Sequence, residues 1–312
     1  MNIEELVKIC KDAGRRPYVV ADGTSGAVAV AGLEGRIFYV HDGEVVSLFR
    51  PESATNFSNS VNGYFNPGGD GLWPAPEGTS FGYEYAGGKW RVPMGLVNAQ
   101  YEVTEQSANH LAMSAEVDLV NNRQTGIPVR FIREVTVRGE GGRTVIDQMD
   151  AIEYIGARRL DEDEFLLAPW SLSQFRVTPD ARAAFGAFPG VIRDLYDDSA
   201  PYRQARGERV ELAPNDAHRL QLALPEEARF VELVLPQEKL RITRTGEPLE
   251  SGLQGADIAD ADPAVPPREA VRYSIYNDPS GFMELEIVGG CKAPLCAGTV
   301  LRMRNRTCIA GI

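Results

Sequence analysis

Residues 282–287, Phe-Met-Glu-Leu-Glu-Ile, alternate in polarity, so a strand there puts Met283, Leu285 and Ile287 on one face and Phe282, Glu284 and Glu286 on the other. Two carboxylates lining a concave face can take up a proton or bind a hydroxyl. On an open face they are simply solvated. A second group of residues is aromatic: Trp73, Trp90 and Trp170, with Tyr64, Phe65, Phe81, Tyr83 and Tyr85, most of them beside polar residues such as Asn66 and Asp70. A sugar has an apolar C–H face and a rim of hydroxyls, so its site needs an aromatic platform on which carboxylate, amide or guanidinium groups converge. The competing reading is that these rings anchor loops at the open end of a β-sandwich. Arg130 and Arg133, on one long expected strand, are candidate counter-charges or else ordinary strand-surface arginines.

Other chemistry is sparse. The histidines stand apart at 41, 110 and 218. The cysteines at 10, 291, 296 and 308 lack a C-x₂-C pair or a nearby histidine, so no metal centre is expected. Ala75-Pro76-Glu77 matches a protein-kinase tripeptide without the other kinase motifs, and Gly68-Gly69-Asp70-Gly71 lacks the βαβ setting of a dinucleotide site. With no P-loop and no Gly-x-Ser-x-Gly elbow either, no cofactor is expected. A formal net charge of −12 and the absence of a basic block argue against nucleic acid and anionic membranes as partners. No apolar run reaches the ~18 residues of a membrane helix. The N-terminus lacks the charged and apolar regions of an export signal, and the expected location is the cytoplasm.

The elements that must position these groups are mostly strands. Residues 2–12 form the exception, an amphipathic helix capped by Asn2, with Ile3, Leu6, Val7 and Cys10 on one face and Gly14 beyond its end. Short runs at 17–21, 27–31 and 36–41 are separated by hairpin signals, and long runs follow at 97–103, 110–119, 129–138 and 144–155. Residues 51–95 show little periodicity and read as one long loop, a length that marks either a functional loop or a wrong assignment. The apolar run 165–178 contains Pro169 and is expected to bend or to sit at a sheet edge. Residues 179–207 read as loop with room for a helical turn, and strands resume at 209–212, 218–224, 230–235, 240–245, 271–277, 283–287 and 300–306. The strand pattern is alike on both sides of 246–269, so residues 1–15 are expected as an N-terminal helix and 16–312 as one domain.

Three motifs in this order resemble the galactose-mutarotase-like β-supersandwich superfamily, and in particular its bacterial branches of uncharacterised proteins. They are Gly-Gly-Asp-Gly-Leu-Trp-Pro-Ala-Pro-Glu at 68–77, Ala-Pro-Trp-Ser-Leu-Ser-Gln-Phe at 168–175, and Phe-Met-Glu-Leu-Glu at 282–286 followed by Pro-Leu-x-Ala-Gly at 294–298. The resemblance spans nearly the whole chain. It implies an all-β supersandwich of two large, mainly antiparallel sheets, and a small-molecule carbohydrate as ligand. In aldose mutarotases a C-terminal strand supplies a glutamate base, the position that Glu284 matches, and a histidine protonates the ring oxygen. That histidine does not carry over: residues 170–175 stand where the family has His-x-Tyr-Phe-Asn.

The expected site joins Asp70, Trp73 and Glu77 to Trp170, Gln174 and the Glu284 strand, with Arg133 as counter-charge. Three activities follow from it. One is anomeric epimerisation with Glu284 as base and an unidentified acid, and another is a noncatalytic sugar-binding or sensing module. The third is a sugar hydrolase or lyase pairing Glu77 or Asp70 with Glu284.

Overall fold

Alternating runs of β-branched and aromatic residues build this chain into two ten-stranded sheets. The structure, a computed structural model, describes residues 1–56, 63–76, 83–84, 89–90, 92–259 and 269–312, with backbone only at 83–84 and 89–90. The first sheet runs, edge to edge, through Pro17–Asp22, Ser25–Val30, Arg36–His41, Asp70–Ala75, Ala168–Arg176, Phe282–Val288, Tyr273–Asp278, Leu220–Leu224 and Arg193–Asp194. The short Glu44–Val45 strand pairs with Arg36–His41. The second sheet runs through Arg203–Arg206, Arg209–Leu212, Arg182–Gly186, Val231–Leu235, Leu240–Gly246, Thr299–Gly311, Arg143–Tyr154, Gly126–Glu140, His110–Val120 and Glu102–Gln106. Described neighbours pair antiparallel, as in the hairpin that turns at Gly141 and Gly142 with φ of +56° and +78°.

One apolar core lies between the sheets. From the first sheet it takes Ala27, Ala29, Ile37 and Tyr39, with Phe175, Met283, Leu285 and Ile287, and from the second Phe131, Val135, Ile152, Leu233 and Ile309. The outward face of the first sheet is divided. At one end Val28, Val30, Phe38 and Val40 pack under Leu6 and Cys10 of the helix Ile3–Asp12. That helix starts as its sequence demands, with Asn2 Oδ1 accepting from Glu5 N and Glu5 Oε2 accepting from Asn2 N. The middle of the same face stays open. Among the described residues no helix is long and apolar enough to cross a membrane.

Several expectations are corrected. The stretch 51–95 is not one loop: it contains the helices Pro51–Thr55 and Met94–Val97 and, as an interior strand of the first sheet, Asp70–Ala75. The run with Pro169 is likewise an interior strand rather than an edge. The two interior strands accommodate their prolines for one physical reason. Pro74 and Pro169 stand opposite each other, so the two residues without an N–H share one rung and the remaining ladder is intact. The expected strand 97–103 begins only at Glu102, because residues 94–97 close a helical turn. Residues 179–207 contribute the strands Arg182–Gly186, Arg193–Asp194 and Arg203–Arg206 where loop was expected, and their helical turn is the 3-10 turn Ala200–Tyr202.

Candidate functional site

Register across four adjacent strands places Gln174, Glu284, Tyr276 and Gln221 in one row on the open face of the first sheet. Two rungs further on, on the same face, Leu172 stands opposite Glu286. These residues and Trp170 form the floor of a cavity of about 380 Å³, with Trp73, Phe282 and Tyr64 among its walls and Arg36, Arg50, Arg219, Glu52 and Asp278 adding charge. Alternation explains the sorting. Residues 282, 284 and 286 point into the cavity, while 283, 285 and 287 enter the core.

The floor is a hydrogen-bonded array. Gln174 Nε2 donates to Glu284 Oε1 at 2.6 Å, and Arg50 Nη1 donates to Gln174 Oε1 at 3.3 Å. Trp170 Nε1 donates to Glu286 Oε2 at 3.1 Å, and Gln221 Nε2 lies 3.3 and 3.2 Å from the two Glu286 oxygens. Burial, and then the neighbouring Glu286, push the Glu284 carboxyl well above the usual carboxylate range, against the opposing pull of Arg36 and Gln174. At the far end Arg219 Nε donates to the Tyr276 hydroxyl at 2.8 Å, and that hydroxyl donates to Asp278 Oδ2 at 2.7 Å. Burial would raise Asp278, but hydrogen bonds from Ser280 and Tyr276, with Arg219 nearby, leave it below its ordinary value.

Arg36 reaches the cavity from a different strand. Its Nη2 donates to Glu34 Oε2 at 2.8 Å and to the Tyr64 hydroxyl at 2.6 Å, its Nη1 donates to the Gly68 carbonyl at 3.2 Å, and Tyr64 completes the ring by donating to Glu34 at 2.8 Å. Burial alone would lower the guanidinium, but Tyr64, Glu34 and Glu284 together hold it above its ordinary value. Room for it comes from Gly71, where a Cβ would stand 2.7 Å from Arg36 Nη1. The glycine-rich motif therefore serves packing and turning. Gly68, at φ +84°, passes so close to the Leu48 carbonyl that a Cβ would meet it at 2.1 Å.

Of the residues singled out in the sequence, the structure brings Trp73, Trp170, Gln174 and Glu284 to this cavity. Trp170 is only 1% exposed and bonds to Glu286, so it is floor rather than an open platform. Asp70 and Arg133 are not brought here: both are fully buried between the sheets. Asp70 pairs with Arg133 and, at 3.1 Å, with Arg244, and accepts from Ser171, Ser173 and Gln148. Arg133 also donates to Asp150 at 2.8 Å. Ser171 and Ser173 alternate with Trp170, Leu172 and Gln174, so this charged cluster lies directly behind the cavity floor. Arg130 is at the surface, paired with Glu116 and Glu153. Glu77, Phe81 and Tyr85, and the side chains of Tyr83 and Trp90, lie outside the described residues.

The sequence reading missed Arg36, Arg50, Gln221, Tyr276 and Asp278. Gln221 had a signal, being the one polar residue in the strand Leu220–Leu224. No histidine lines the cavity: His41 bonds Thr144 behind the first sheet, His110 bonds Thr136, and His218 faces Asp197. Among the described residues no cluster of three or more His, Cys, Asp or Glu is placed to hold a metal ion.

No protein-family model matches the sequence, and no curated protein sequence matches it. Solved structures do. A protein from Synechocystis sp. PCC 6803 aligns over 95% of this chain and 96% of its own with a TM-score of 0.60 at 13% identity. A galactose mutarotase-like protein from Lactobacillus casei ATCC 334 aligns over 94% and 100% with a TM-score of 0.59 at 11% identity. Another galactose mutarotase-like protein, from Clostridium acetobutylicum, aligns over 96% of each chain with a TM-score of 0.59 at 11% identity. With its two antiparallel sheets and this likeness along nearly its whole length, the chain has the galactose-mutarotase-like β-supersandwich fold.

Proposed function

We propose that the cavity binds a small carbohydrate and that the protein interconverts the anomers of an aldose, with Glu284 exchanging protons at the anomeric centre. The observation that carries this reading is the row Gln174, Glu284, Tyr276 and Gln221, an amide, a carboxyl, a phenol and an amide presented side by side on a rigid sheet. Such a row matches a rim of hydroxyls, while Phe282 and Tyr276 offer ring surface to the C–H face. A cavity of about 380 Å³ suits a monosaccharide rather than a polymer. The mutarotase names of the fold's neighbours point the same way.

A second reading, a noncatalytic sugar-binding module, is favoured by one observation: the three histidines all lie away from the cavity. A hydrolytic pair of Asp70 with Glu284 has less support, because Asp70 faces the core on the other side of the sheet from Glu284. Exchange between anomers, followed by NMR for glucose, galactose and xylose with the wild type and Glu284→Gln, separates the first two readings. Accelerated exchange that the variant loses supports the epimerase. Binding without acceleration supports the module.

A further inference from the structure

We infer that Glu284 and Glu286 hold a single proton between them, resident on Glu284, and that the Glu284 carboxyl serves in turn as acid and as base at the anomeric centre. The inference rests on the epimerase reading above. Its basis is an asymmetry within the pair. The two carboxyls are successive outward residues of one strand, both lining the cavity floor. Glu286 is 0% exposed, and its two oxygens receive N–H groups from Trp170 and Gln221, an environment that stabilises the anion. Glu284 is 6% exposed and receives one such bond, from Gln174. Two buried carboxylates side by side cannot both stay ionised cheaply, so the better-solvated anion is Glu286 and the proton sits on the residue that faces the ligand. The upward displacement of Glu284 by burial and by Glu286 agrees with this.

The groups facing the pair leave the assignment intact. Arg36 is committed to Glu34, Tyr64 and the Gly68 carbonyl, and Arg50 to Asn66 and Gln174. Arg219 donates to Tyr276, and Asp278 accepts from Tyr276 and Ser280. Burial, its largest cause, pushes each of the phenols Tyr64 and Tyr276 above its ordinary value, so neither ionises near neutrality. Glu52 stands on the surface helix Pro51–Thr55 at the cavity's rim.

The step balances without a co-reactant. The Glu284 O–H gives its proton to the ring oxygen, and the bond from C1 to that oxygen breaks with its electron pair going to the oxygen. The O1–H pair forms the C1=O1 double bond, and the O1 proton passes to the Glu284 carboxylate. The open-chain aldehyde turns about C1–C2, and the reverse sequence closes the other anomer with Glu284 protonated as at the start. Both oxygens are bonded to the same carbon, so one carboxyl reaches both. Glu286 does not touch the sugar in this scheme. It is a positioning residue whose charge keeps the proton on its neighbour.

The test combines infrared titration of the carboxyl C=O band with NMR anomer exchange of glucose, galactose and xylose, in the intact chain. The wild type is expected to show a protonated carboxyl at pH 7 that disappears in both Glu284→Gln and Glu286→Gln. In Glu286→Gln the exchange rate at pH 7 falls about 100-fold, the lower end for loss of a general acid, and the high-pH limb of its profile moves to lower pH. Gln221→Leu, which keeps both carboxyls but strips a donor from Glu286, draws the proton toward Glu286, so exchange at pH 7 falls while that limb moves to higher pH, and it covers the case in which Glu286→Gln does not fold. A wild type without the protonated band, or variants that keep the wild-type pH profile, overturns the shared proton. The band present with no exchange of any of the three sugars overturns the epimerase reading and the catalytic half of this inference with it.

Discussion

Gln174 and Glu284 stand opposite each other on neighbouring strands, and the amide nitrogen of one lies 2.6 Å from a carboxyl oxygen of the other. Arg50 on the Gln174 oxygen sets which way that amide faces. A backbone ladder thus determines the separation of two functional groups, and a third side chain determines their polarity. Gln174→Leu removes both bonds at nearly constant volume. Sugar affinity measured by calorimetry is expected to fall about 10-fold, the equivalent of one hydrogen bond. Unchanged affinity would place the sugar away from this row.

The Glu34–Arg36–Tyr64 ring should matter for stability first. Arg36 is 1% exposed, so Glu34→Ala leaves a buried guanidinium without its carboxylate. Urea unfolding should show a loss of about 3–5 kcal/mol, the usual cost of breaking a buried pair. The double variant Glu34→Ala with Arg36→Met should recover part of it, because no charge is then stranded.

Gly71→Ala should act on the same ring from below. The added methyl meets the Arg36 guanidinium, whose three partners leave it little freedom to withdraw. A destabilisation of about 1–3 kcal/mol is expected from overpacking. Gly23→Ala, a turn glycine with φ +64° and open space around its Cβ position, serves as the control for strain without a clash.

The cluster behind the floor predicts a specific acid limb. Burial alone would raise Asp70, but Arg244 and Arg133, with Ser173 and Ser171, hold it well below its ordinary value. A depressed carboxyl contributes stability that is present above its unfolded pKa, near ~4, and is lost as pH falls through the folded one. Asp70→Asn should therefore cost most of its stability at neutral pH and little at pH 2, with the two proteins' unfolding curves converging on acidification.

Glu284 predicts the opposite slope. Its folded pKa lies above the unfolded one, so its favourable contribution is complete below about pH 4 and disappears as pH rises through the folded value. Glu284→Gln removes this dependence. The stability of the variant relative to wild type should increase by up to about 1.4 kcal/mol per pH unit between those two pKa values. Denaturation at several pH values reads it directly, and a flat difference would mean that Glu284 is not displaced upward.

Local order was largely legible in the residues themselves. The capped helix at Asn2, the long hairpin through Gly141 and Gly142, and the face that carries Glu284 and Glu286 all follow from patterns a few residues long. Backbone geometry imposes such patterns wherever the chain goes. What the tertiary structure decided was which faces met. Asp70 and Trp73 stand three residues apart on the strand Asp70–Ala75, and that odd step sends Asp70 into a buried ion cluster with Arg133 while Trp73 borders the cavity. Pro169 reads as a bend or a sheet edge, yet pairing with Pro74 places it inside the sheet. Arg36, Gln221 and Tyr276 joined the site because register aligned strands far apart in the chain. Period-2 alternation tells that two residues share a face, but only the pairing of distant strands tells what that face lines.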